Sequence, residues 1–424
     1  MSATAEFSGA PVLPSAWGGH TAGTATYRRI VLAMMVGGLA NFSLMYFVQP
    51  LLPMLATHYR VTPAESAHAL SITTLTIIVG LLAVGPLADR VGRVAVMRWS
   101  LLASGALGLA SAVAPTWTSL LAIRGLLGLT LAGLPGAALA YLREEVDTAS
   151  HPRANAAYIA GTAVGGAAGR LLPGPLATLG GWPLAATVVS LLTVAAGILL
   201  VALLPPSRGF TPRPVPLRTS LLGTLTAPSD RVIAMLCLTG FAAMGAFVGV
   251  YNAVAFRLQA PPFLLGAAAS LVYLAYPVGI ASPMLARALA ERIGRGSATA
   301  LFVCLLAAAV VVISLPTLPA VVAGLGMITF AFLGTHSLLS GWVVDRARRA
   351  GRGTAQASSA YLGTYYLGST IAGAVATWQW QAGGWPGVAV LGLGLAAGGL
   401  VTVLVASRAD RNPLGPGEDE PAAL

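Results

Sequence analysis

The sequence contains no lysine, so all 24 of its basic residues are arginine. Charge of either sign is scarce. Charged residues make up 9% of the 424 positions, whereas a soluble chain carries about a quarter. This deficit excludes an ordinary soluble domain, because too few charges remain to cover its surface.

Cysteine and catalytic signatures are also nearly absent. The two cysteines, Cys237 and Cys304, each lie in an apolar run, so we expect two small core residues and not a disulfide or a metal pair. The sequence holds no CxxC, HExxH, GxSxG or GxxxxGK pattern. We therefore expect no enzyme, no metal ion and no cofactor.

Long apolar stretches dominate what is present. Hydrophobic residues make up 56% of the chain, and the mean hydropathy is +0.80. Stretches of about 20 residues are long enough to cross a bilayer as helices, and the sequence predicts an all-α membrane protein in contact with the lipid bilayer. The twelve predicted spans are Ile30–Val48, Ala69–Leu87, Val94–Ala114, Thr118–Tyr141, Ala154–Leu176, Pro183–Leu204, Val232–Val254, Phe263–Leu285, Ser297–Leu315, Ala320–Trp342, Ala355–Thr377 and Pro386–Ala406.

The arginines are distributed asymmetrically between the predicted loops. Most fall in alternate segments, while only Arg60 and Arg257 fall in loops on the other side. By the positive-inside rule this pattern places both termini in the cytoplasm of a multi-pass protein in a bacterial-type inner or plasma membrane. It also accounts for the pI near 10.3 without a nucleic-acid partner.

The chain consists of two similar units. "LADRVGR" at Leu87–Arg93 recurs 202 residues later as "LAERIGR" at Leu289–Arg295, and "GGWP" at Gly180–Pro183 recurs 203 residues later at Gly383–Pro386. Six spans in each unit make the repeats parallel. The predicted organisation is a cytoplasmic tail (1–29), a first six-helix half (30–204), a cytoplasmic linker rich in proline and arginine (205–231), a second six-helix half (232–406) and a cytoplasmic tail (407–424).

The repeated loop also carries a family resemblance. "GPLADRVGR" at Gly85–Arg93 resembles the signature loop between helices two and three of the major facilitator superfamily, and "LAERIGR" resembles its echo between helices eight and nine. The resemblance implies the major facilitator fold of two parallel six-helix repeats. It also implies secondary active transport of a small organic solute by alternating access.

The resemblance implies that each loop is part of a gating latch. We expect Gly85 to admit a neighbouring helix, Gly92 to allow a tight turn, and Asp89 to pair at a helix N-terminus. Such partly exposed ion pairs are individually weak, as a gate that opens in every cycle requires. The remaining predicted latch residues are Arg90 and Arg93 with Glu144 or Glu145 in the first half, and Glu291, Arg292, Gly294 and Arg295 with Asp345 in the second.

A finer resemblance concerns the branch around a bacterial acriflavine-sensitivity efflux protein, to which "TYYLGSTIAG" and "YNAVAFRLQAPPFLL" are similar. It implies proton-coupled efflux of amphipathic, drug-like compounds. In that family helix five carries a glycine series ending in Gly-Pro. Here Gly161, Gly165, Gly169 and Gly174 are present, but Arg170 interrupts the series.

All 13 acidic residues fall in loops, tails or helix ends. Three other ionisable residues lie within spans, where charge is costly. We expect Arg124 to face the cavity, Arg170 either to function there or to snorkel to the surface, and His336 to be either a neutral core residue or a proton carrier. The other predicted cavity residues are Asn41, Tyr46, Asn252, Tyr361 and Tyr365, with Gln49 and Tyr366 nearby.

These observations leave more than one function open. Proton-coupled efflux, driven by the transmembrane proton gradient, is the first expectation. Uptake or exchange of an anionic metabolite, with the anion held by Arg124 and Arg170, is the alternative, and a non-transporting membrane sensor is a third. The expected partners are the bilayer and a small-molecule substrate, and the protein is expected to function as a monomer.

Overall fold

The computed structural model describes residues 17–212 and 217–411, and within these ranges the chain is helical and forms no named strand. The first 16 residues of the predicted N-terminal tail, residues 213–216 of the predicted linker and residues 412–424 of the predicted C-terminal tail lie outside the described residues. The expected all-α membrane fold is confirmed.

The first half contains nine helices. They are α1 (Ala25–Tyr46), α2 (Leu52–Tyr59), α3 (Pro63–Ser66), α4 (His68–Val91), α5 (Arg93–Ala112), α6 (Trp117–Leu131), α7 (Gly133–Glu145), α8 (His151–Leu171) and α9 (Pro173–Leu203). A short 3₁₀ turn, Gln49–Leu51, joins α1 to α2. Several neighbours are nearly continuous, so α1–α2, α3–α4 and α6–α7 each form one membrane span.

The second half follows a short helix in the linker, α10 (Leu217–Thr226). Its span helices are α11 (Arg231–Arg257), α12 (Ser282–Ile293), α13 (Arg295–Ser314), α14 (Leu318–Arg349), α15 (Thr354–Gly383) and α16 (Trp385–Ala409). The 3₁₀ segment Gly266–Ala281 precedes α12, and together these two elements form the eighth span. Polar caps fix several helix starts, since Thr24 and Asp230 accept hydrogen bonds from the third residues of α1 and α11.

In the described part of the chain, ten spans, some made of two consecutive helices, are long and apolar enough to cross a membrane. The predicted fifth and eleventh spans, at α8 and α15, are long helices that do not reach the same hydropathy. Both are rich in small residues, which let helix backbones approach closely. A Cβ added to Gly165 would collide with the backbone of Leu39 in α1, and one added to Gly368 with Phe241 in α11.

Backbone geometry confirms the repeat. Gly92 and Gly294, in the two copies of the loop, have φ of +92° and +84°, a region that favours glycine. Gly181 and Gly384, in the two "GGWP" segments, have φ of +71° and +67°. Gly180 and Gly181 both have non-helical backbone angles, so α9 consists of two helical parts that meet there, and the predicted break between the fifth and sixth spans lies at this point.

The helices α4, α7, α12 and α14 all end at the same end of the bundle, which we call the arginine-rich end. We call the other end of the bundle the opposite end. The two halves meet through α4 and α15, through the α1–α2 region and α11, and through α8–α9 and the 3₁₀ segment Gly266–Ala281. These contacts run from the opposite end towards the middle of the bundle. The bundle is therefore closed at the opposite end.

Two sequence expectations are corrected here. Gly85 was expected to admit a neighbouring helix, but a Cβ there would meet nothing within 4 Å, so none of the described helices packs closely against this glycine. Cys304 was expected in the core with Cys237. Cys237 is buried, whereas Cys304 is exposed on the outer face of α13, and both are free thiols.

Candidate solute-binding site

Arg170 is the most unusual side chain of the interior. It projects from α8, is fully buried and forms none of the ion pairs found among the described residues. Its Nε donates to Gln49 Oε1 at 2.6 Å and its Nη1 to the Gly166 carbonyl at 2.7 Å. The buried Nη2 has no hydrogen-bond partner in the described part of the chain. One edge of the guanidinium group therefore still lacks an acceptor at Nη2.

Aromatic rings surround this charge in place of carboxylates. The Arg170 Cζ lies 4.0 Å from the ring centroid of Tyr46, 5.0 Å from that of Tyr276 and 5.1 Å from that of Tyr251. Ring faces attract a cation within about 6 Å, most strongly where water is excluded. The ring faces stabilise the buried charge, but none of these side chains carries the negative charge that would neutralise it.

An amide bridge joins the two halves beside Arg170. Gln49 Nε2 donates to Asn252 Oδ1 at 2.7 Å, and Asn252 Nδ2 donates to the Gly373 carbonyl at 3.3 Å. Gln49 and Asn252 are 203 residues apart, which is the repeat spacing, and both are fully buried. Equivalent positions of the two repeats thus contact each other where the halves meet.

A continuous aromatic wall leads from Arg170 to His336. Phe247 of α11 stacks on Phe332 of α14 with ring centroids 4.3 Å apart, and Tyr251 lies 4.5 Å from Phe247. Phe332 in turn stacks on His336, 6.1 Å away. The rings of this aromatic wall are buried against one another, and an apolar lining of this kind suits an organic solute with an aromatic or apolar body.

Three predicted cavity residues meet at the far end of the wall. His336 Nδ1 and Tyr361 Oη are 2.8 Å apart and hydrogen-bonded, and the ring centroids of His336 and Tyr365 are 4.8 Å apart. The sequence placed these residues on helices ten and eleven without showing that they touch. Asn41, another predicted cavity residue, is buried in α1, and its Oδ1 has no partner among the described residues.

Arg124 lies in the same half as Arg170 but has different partners. It is fully buried in α6, where its Nε donates to the Ala69 carbonyl at 2.9 Å and its Nη2 to the Met45 carbonyl at 3.2 Å. It therefore ties α6 to α4 and α1, away from the lipid headgroups. Its Nη1 is buried without a partner in the described residues, so it retains one free donor.

The predicted latch of the first half forms in part. Arg93 Nη1 lies 2.6 Å from Asp89 Oδ1, and Arg93 Nη2 lies 3.2 Å from Glu144 Oε1. Asp89 was expected to pair at a helix N-terminus. Its partner Arg93 is the first residue of α5, so the ion pair does lie at a helix start, but Asp89 pairs with a side chain there. No ion pair of Arg90 is found among the described residues, and Glu145 accepts the backbone amides of Arg208 and Gly209.

The second half forms the corresponding latch with fewer members. Arg295 Nη2 lies 2.8 Å from Asp345 Oδ2, as expected. Glu291, however, pairs with Arg287 of its own helix at 3.0 Å and does not reach Asp345. No ion pair of Arg292 is found in the described part of the chain. All ion pairs of both latches lie within one half, so neither latch joins the halves in this state.

Several residues of the site were missed by sequence reasoning. The rings of Phe247, Tyr251, Tyr276 and Phe332 looked like ordinary apolar residues of long spans, and nothing in their spacing distinguishes them from lipid-facing rings. The polar cluster of Asp230, Arg346 and Asp410 was also missed. Arg346 Nη2 lies 2.7 Å from Asp230 Oδ2, and its Nη1 lies 3.4 Å from Asp410 Oδ1. Its acids are separated by most of the second half in sequence.

Comparison with known proteins finds relatives that are all described as membrane transporters. The family model for the Major Facilitator Superfamily matches residues 34–361. The MFS-type transporter YybF of Bacillus subtilis is 35% identical over 370 residues, covering 86% of this chain and 90% of the relative. The inner membrane transport protein YnfM of Escherichia coli is 34% identical over 390 residues, covering 92% of each.

Solved structures show the same fold. The nucleoside transporter NupG superposes with a TM-score of 0.70 at 14% identity, covering 90% of this chain and 99% of that one. An inward-facing, unoccupied structure of a bacterial homologue of the human lysosomal transporter Spinster superposes with a TM-score of 0.64 at 14% identity, covering 91% of this chain and 96% of that one. At this identity the likeness concerns architecture alone.

Proposed function

Because the chain belongs to the Major Facilitator Superfamily of membrane transporters, we propose that it carries a small organic anion with an apolar or aromatic body across a bacterial inner or plasma membrane by alternating access. Arg170 binds the anionic group, and the aromatic wall from Tyr251 to His336 contacts the body of the solute. The two halves rock about this site.

The observation that supports an anion is the missing counter-charge of Arg170. A buried arginine costs free energy unless its charge and its hydrogen bonds are satisfied. Every acidic residue in the described part lies at or near a helix end, and Arg170 pairs with none of them. A carboxylate, sulfonate or phosphate group fits the free Nη2 edge, whereas a cationic solute is repelled there.

Matched aromatic probes test this proposal in proteoliposomes. Benzenesulfonate carries a permanent negative charge, benzenesulfonamide is its neutral isostere, and benzyltrimethylammonium is a cation. We expect transport of the sulfonate, competition by aromatic carboxylates, and no competition by the sulfonamide. Arg170→Met should reduce transport by at least about 100-fold, since it removes a desolvated charge contact.

The matched control is Arg60→Asn, which removes an exposed positive charge in a left-handed backbone position that asparagine tolerates. It should leave transport unchanged. Transport of the cation with no competition from any anion, or full activity of Arg170→Met, would contradict the assignment of an anionic substrate.

Proton-coupled efflux of amphipathic compounds is the second candidate function. It is supported by the aromatic wall and by the hydrogen bond between His336 and Tyr361, which places a titratable side chain beside the site. His336→Gln retains a hydrogen-bonding side chain that does not take up a proton near neutral pH. If the second candidate function is correct, His336→Gln exchanges substrate down its gradient but no longer accumulates it in response to a pH gradient. The control variant Tyr158→Phe, in the first half, should respond to the pH gradient as the wild type does.

A further inference from the structure

Gln49 has one hydrogen bond to each half of the molecule. Its side-chain oxygen accepts from Arg170 Nε at 2.6 Å, and its side-chain nitrogen donates to Asn252 Oδ1 at 2.7 Å. Arg170 belongs to the first half and Asn252 to the second. All three side chains are buried, with no water-exposed alternative for either contact.

The two contacts of Gln49 are mechanically linked. The amide group is planar, so the bond to Arg170 fixes the direction in which the Gln49 nitrogen points. If the oxygen loses its partner, the side chain regains rotamer freedom and the bond to Asn252 weakens with it. The state of the Arg170 guanidinium group therefore affects a bond between the halves.

This bridge lies where the halves close. The contact of Gln49 with Asn252 joins the α1–α2 region to α11 towards the opposite end of the bundle. Other contacts between the halves, such as the 2.8 Å hydrogen bond between Thr74 and Thr370, do not involve Arg170. These contacts hold the two halves together without involving the anion site, so a variant of one of them can serve as a control.

We propose that Gln49 is an internal ligand of the anion site, and that an incoming carboxylate, sulfonate or phosphate group, by binding both the free Nη2 and the neighbouring Nε of Arg170, displaces the Gln49 oxygen from Nε and so releases the Gln49–Asn252 bridge. Solute binding then favours opening of the opposite end. This inference rests on the proposed function, because it takes the solute to be an anion. It adds that the solute itself unlocks the gate and that Gln49 and Asn252 are positioning residues for this step.

The size of the effect follows from the bond that is released. A net contribution of about 1 kcal/mol for one hydrogen bond corresponds to about a fivefold change in the ratio of open to closed molecules. By linkage, opening should strengthen anion binding by the same factor. A ligand shifts the equilibrium only by its difference in affinity for the two states.

The experiment measures distances across the opposite end by pulsed electron resonance. Spin labels are placed at Ala64→Cys and Ala382→Cys after replacement of both native cysteines by alanine. These positions suit the purpose because the Ala64 amide contacts the Gln381 side chain of the other half at 3.4 Å. In the wild-type background, benzenesulfonate should raise the open-to-closed ratio about fivefold.

Three variants separate the bridge from general closure. Gln49→Met and Asn252→Leu remove the bridge with side chains of similar size, and both should raise the open fraction without ligand and abolish the response to benzenesulfonate. Thr370→Val removes an unlinked contact between the halves. It should also raise the open fraction without ligand, but it should keep the response.

The outcomes are distinct. If benzenesulfonate binds the wild-type protein and Asn252→Leu responds as fully as Thr370→Val, the bridge does not couple binding to opening, and this inference fails while the proposed function stands. If benzenesulfonate and aromatic carboxylates do not bind at all, both fail. A bridge variant that leaves the ligand-free distances unchanged, while Thr370→Val shifts them, also overturns the inference. Elution of each variant as a single symmetric peak confirms folding.

Discussion

The two halves share a backbone but differ in the charges that they hold inside the membrane. Their loop glycines and "GGWP" kinks have the same backbone conformations, and in each half a small-residue helix packs on an apolar one. The first half, however, buries Arg124 and Arg170. At the position 203 residues after Arg170 the second half has Gly373, whose carbonyl accepts from Asn252.

This difference distinguishes what a transporter needs for motion from what it needs for solute binding. Alternating access needs two similar bodies that rock against each other, and the repeated glycines and loops provide them. Recognition of a solute needs an asymmetric set of side chains. Here the first half contributes the cations and the second contributes most of the aromatic wall and His336. On the proposed function, the symmetric features therefore serve the motion and the asymmetric ones bind the solute.

The largest effect that tests this comparison concerns the latches. Asp89 is 24% exposed and shares Arg93 with Glu144, whereas Glu291 is 65% exposed and pairs only with Arg287 of its own helix. Exposed i,i+4 pairs contribute less than about 1 kcal/mol. We therefore expect Asp89→Asn to abolish transport in correctly inserted protein, and Glu291→Gln to retain most of it. Equal loss in both variants would mean that the latches are equivalent despite their different partners.

An intermediate effect concerns the arginines that bind backbone carbonyls. Arg124 does so in the first half, and Arg257 binds the carbonyls of Ser314 and Leu315 in the second. Arg124→Ala should lose transport and about 3 kcal/mol of stability, because it leaves buried acceptors unpaired. Arg124→Lys should recover little, since an ammonium group cannot reproduce the planar fork.

Arg257→Lys is the matched control for Arg124. It should lower the thermal unfolding temperature in detergent but leave the transport rate per folded molecule unchanged, because Arg257 lies away from the site. Transport by Arg124→Ala at the wild-type rate per folded molecule would reduce Arg124 to a packing residue.

The smallest effect concerns the polar cluster at the start of α11. Burial alone would raise the pKa of the Asp230 carboxyl, but hydrogen bonds from Arg346 and the Ile233 amide hold it below the ordinary value. Asp230→Asn should cost about 2 kcal/mol, whereas Asp345→Asn, at a carboxylate that is 42% exposed, should cost less than about 1 kcal/mol.

The direction of the pKa shift fixes the pH dependence of this cluster. Because the folded pKa of Asp230 is depressed, its contribution is complete above the unfolded pKa near 4 and is lost as the pH falls through the folded value. Unfolding midpoints measured between pH 7 and pH 3 should therefore fall more steeply for the wild type than for Asp230→Asn. Parallel curves would show that Asp230 contributes no charge-dependent stability.

The sequence predicted the parts of the molecule that depend on local pattern. Hydropathy located the spans. The repeated glycines Gly92 and Gly294 located both turns, because a backbone position with positive φ favours glycine. The pairing of Arg93 with Glu144 also followed, since both lie at neighbouring helix ends.

What the sequence did not predict depends on how the halves are placed relative to each other. No pattern connects Gln49 to Asn252 except the repeat spacing, and that spacing alone does not show that equivalent residues touch. Gly85 lies in the family's signature loop, yet a Cβ there would meet nothing of the described chain within 4 Å, so the loop pattern did not predict which helices lie close to it.

The low hydropathy of α8 and α15 has a consequence for how the chain enters the membrane. Helices with so many small and polar residues gain little free energy from lipid alone, so their insertion depends on a neighbour. In each half that neighbour, α1 or α11, precedes the glycine-rich helix in the chain. We therefore expect the docking surface to be in the bilayer before the poorly hydrophobic helix leaves the ribosome during synthesis, so that the order of the helices favours their assembly.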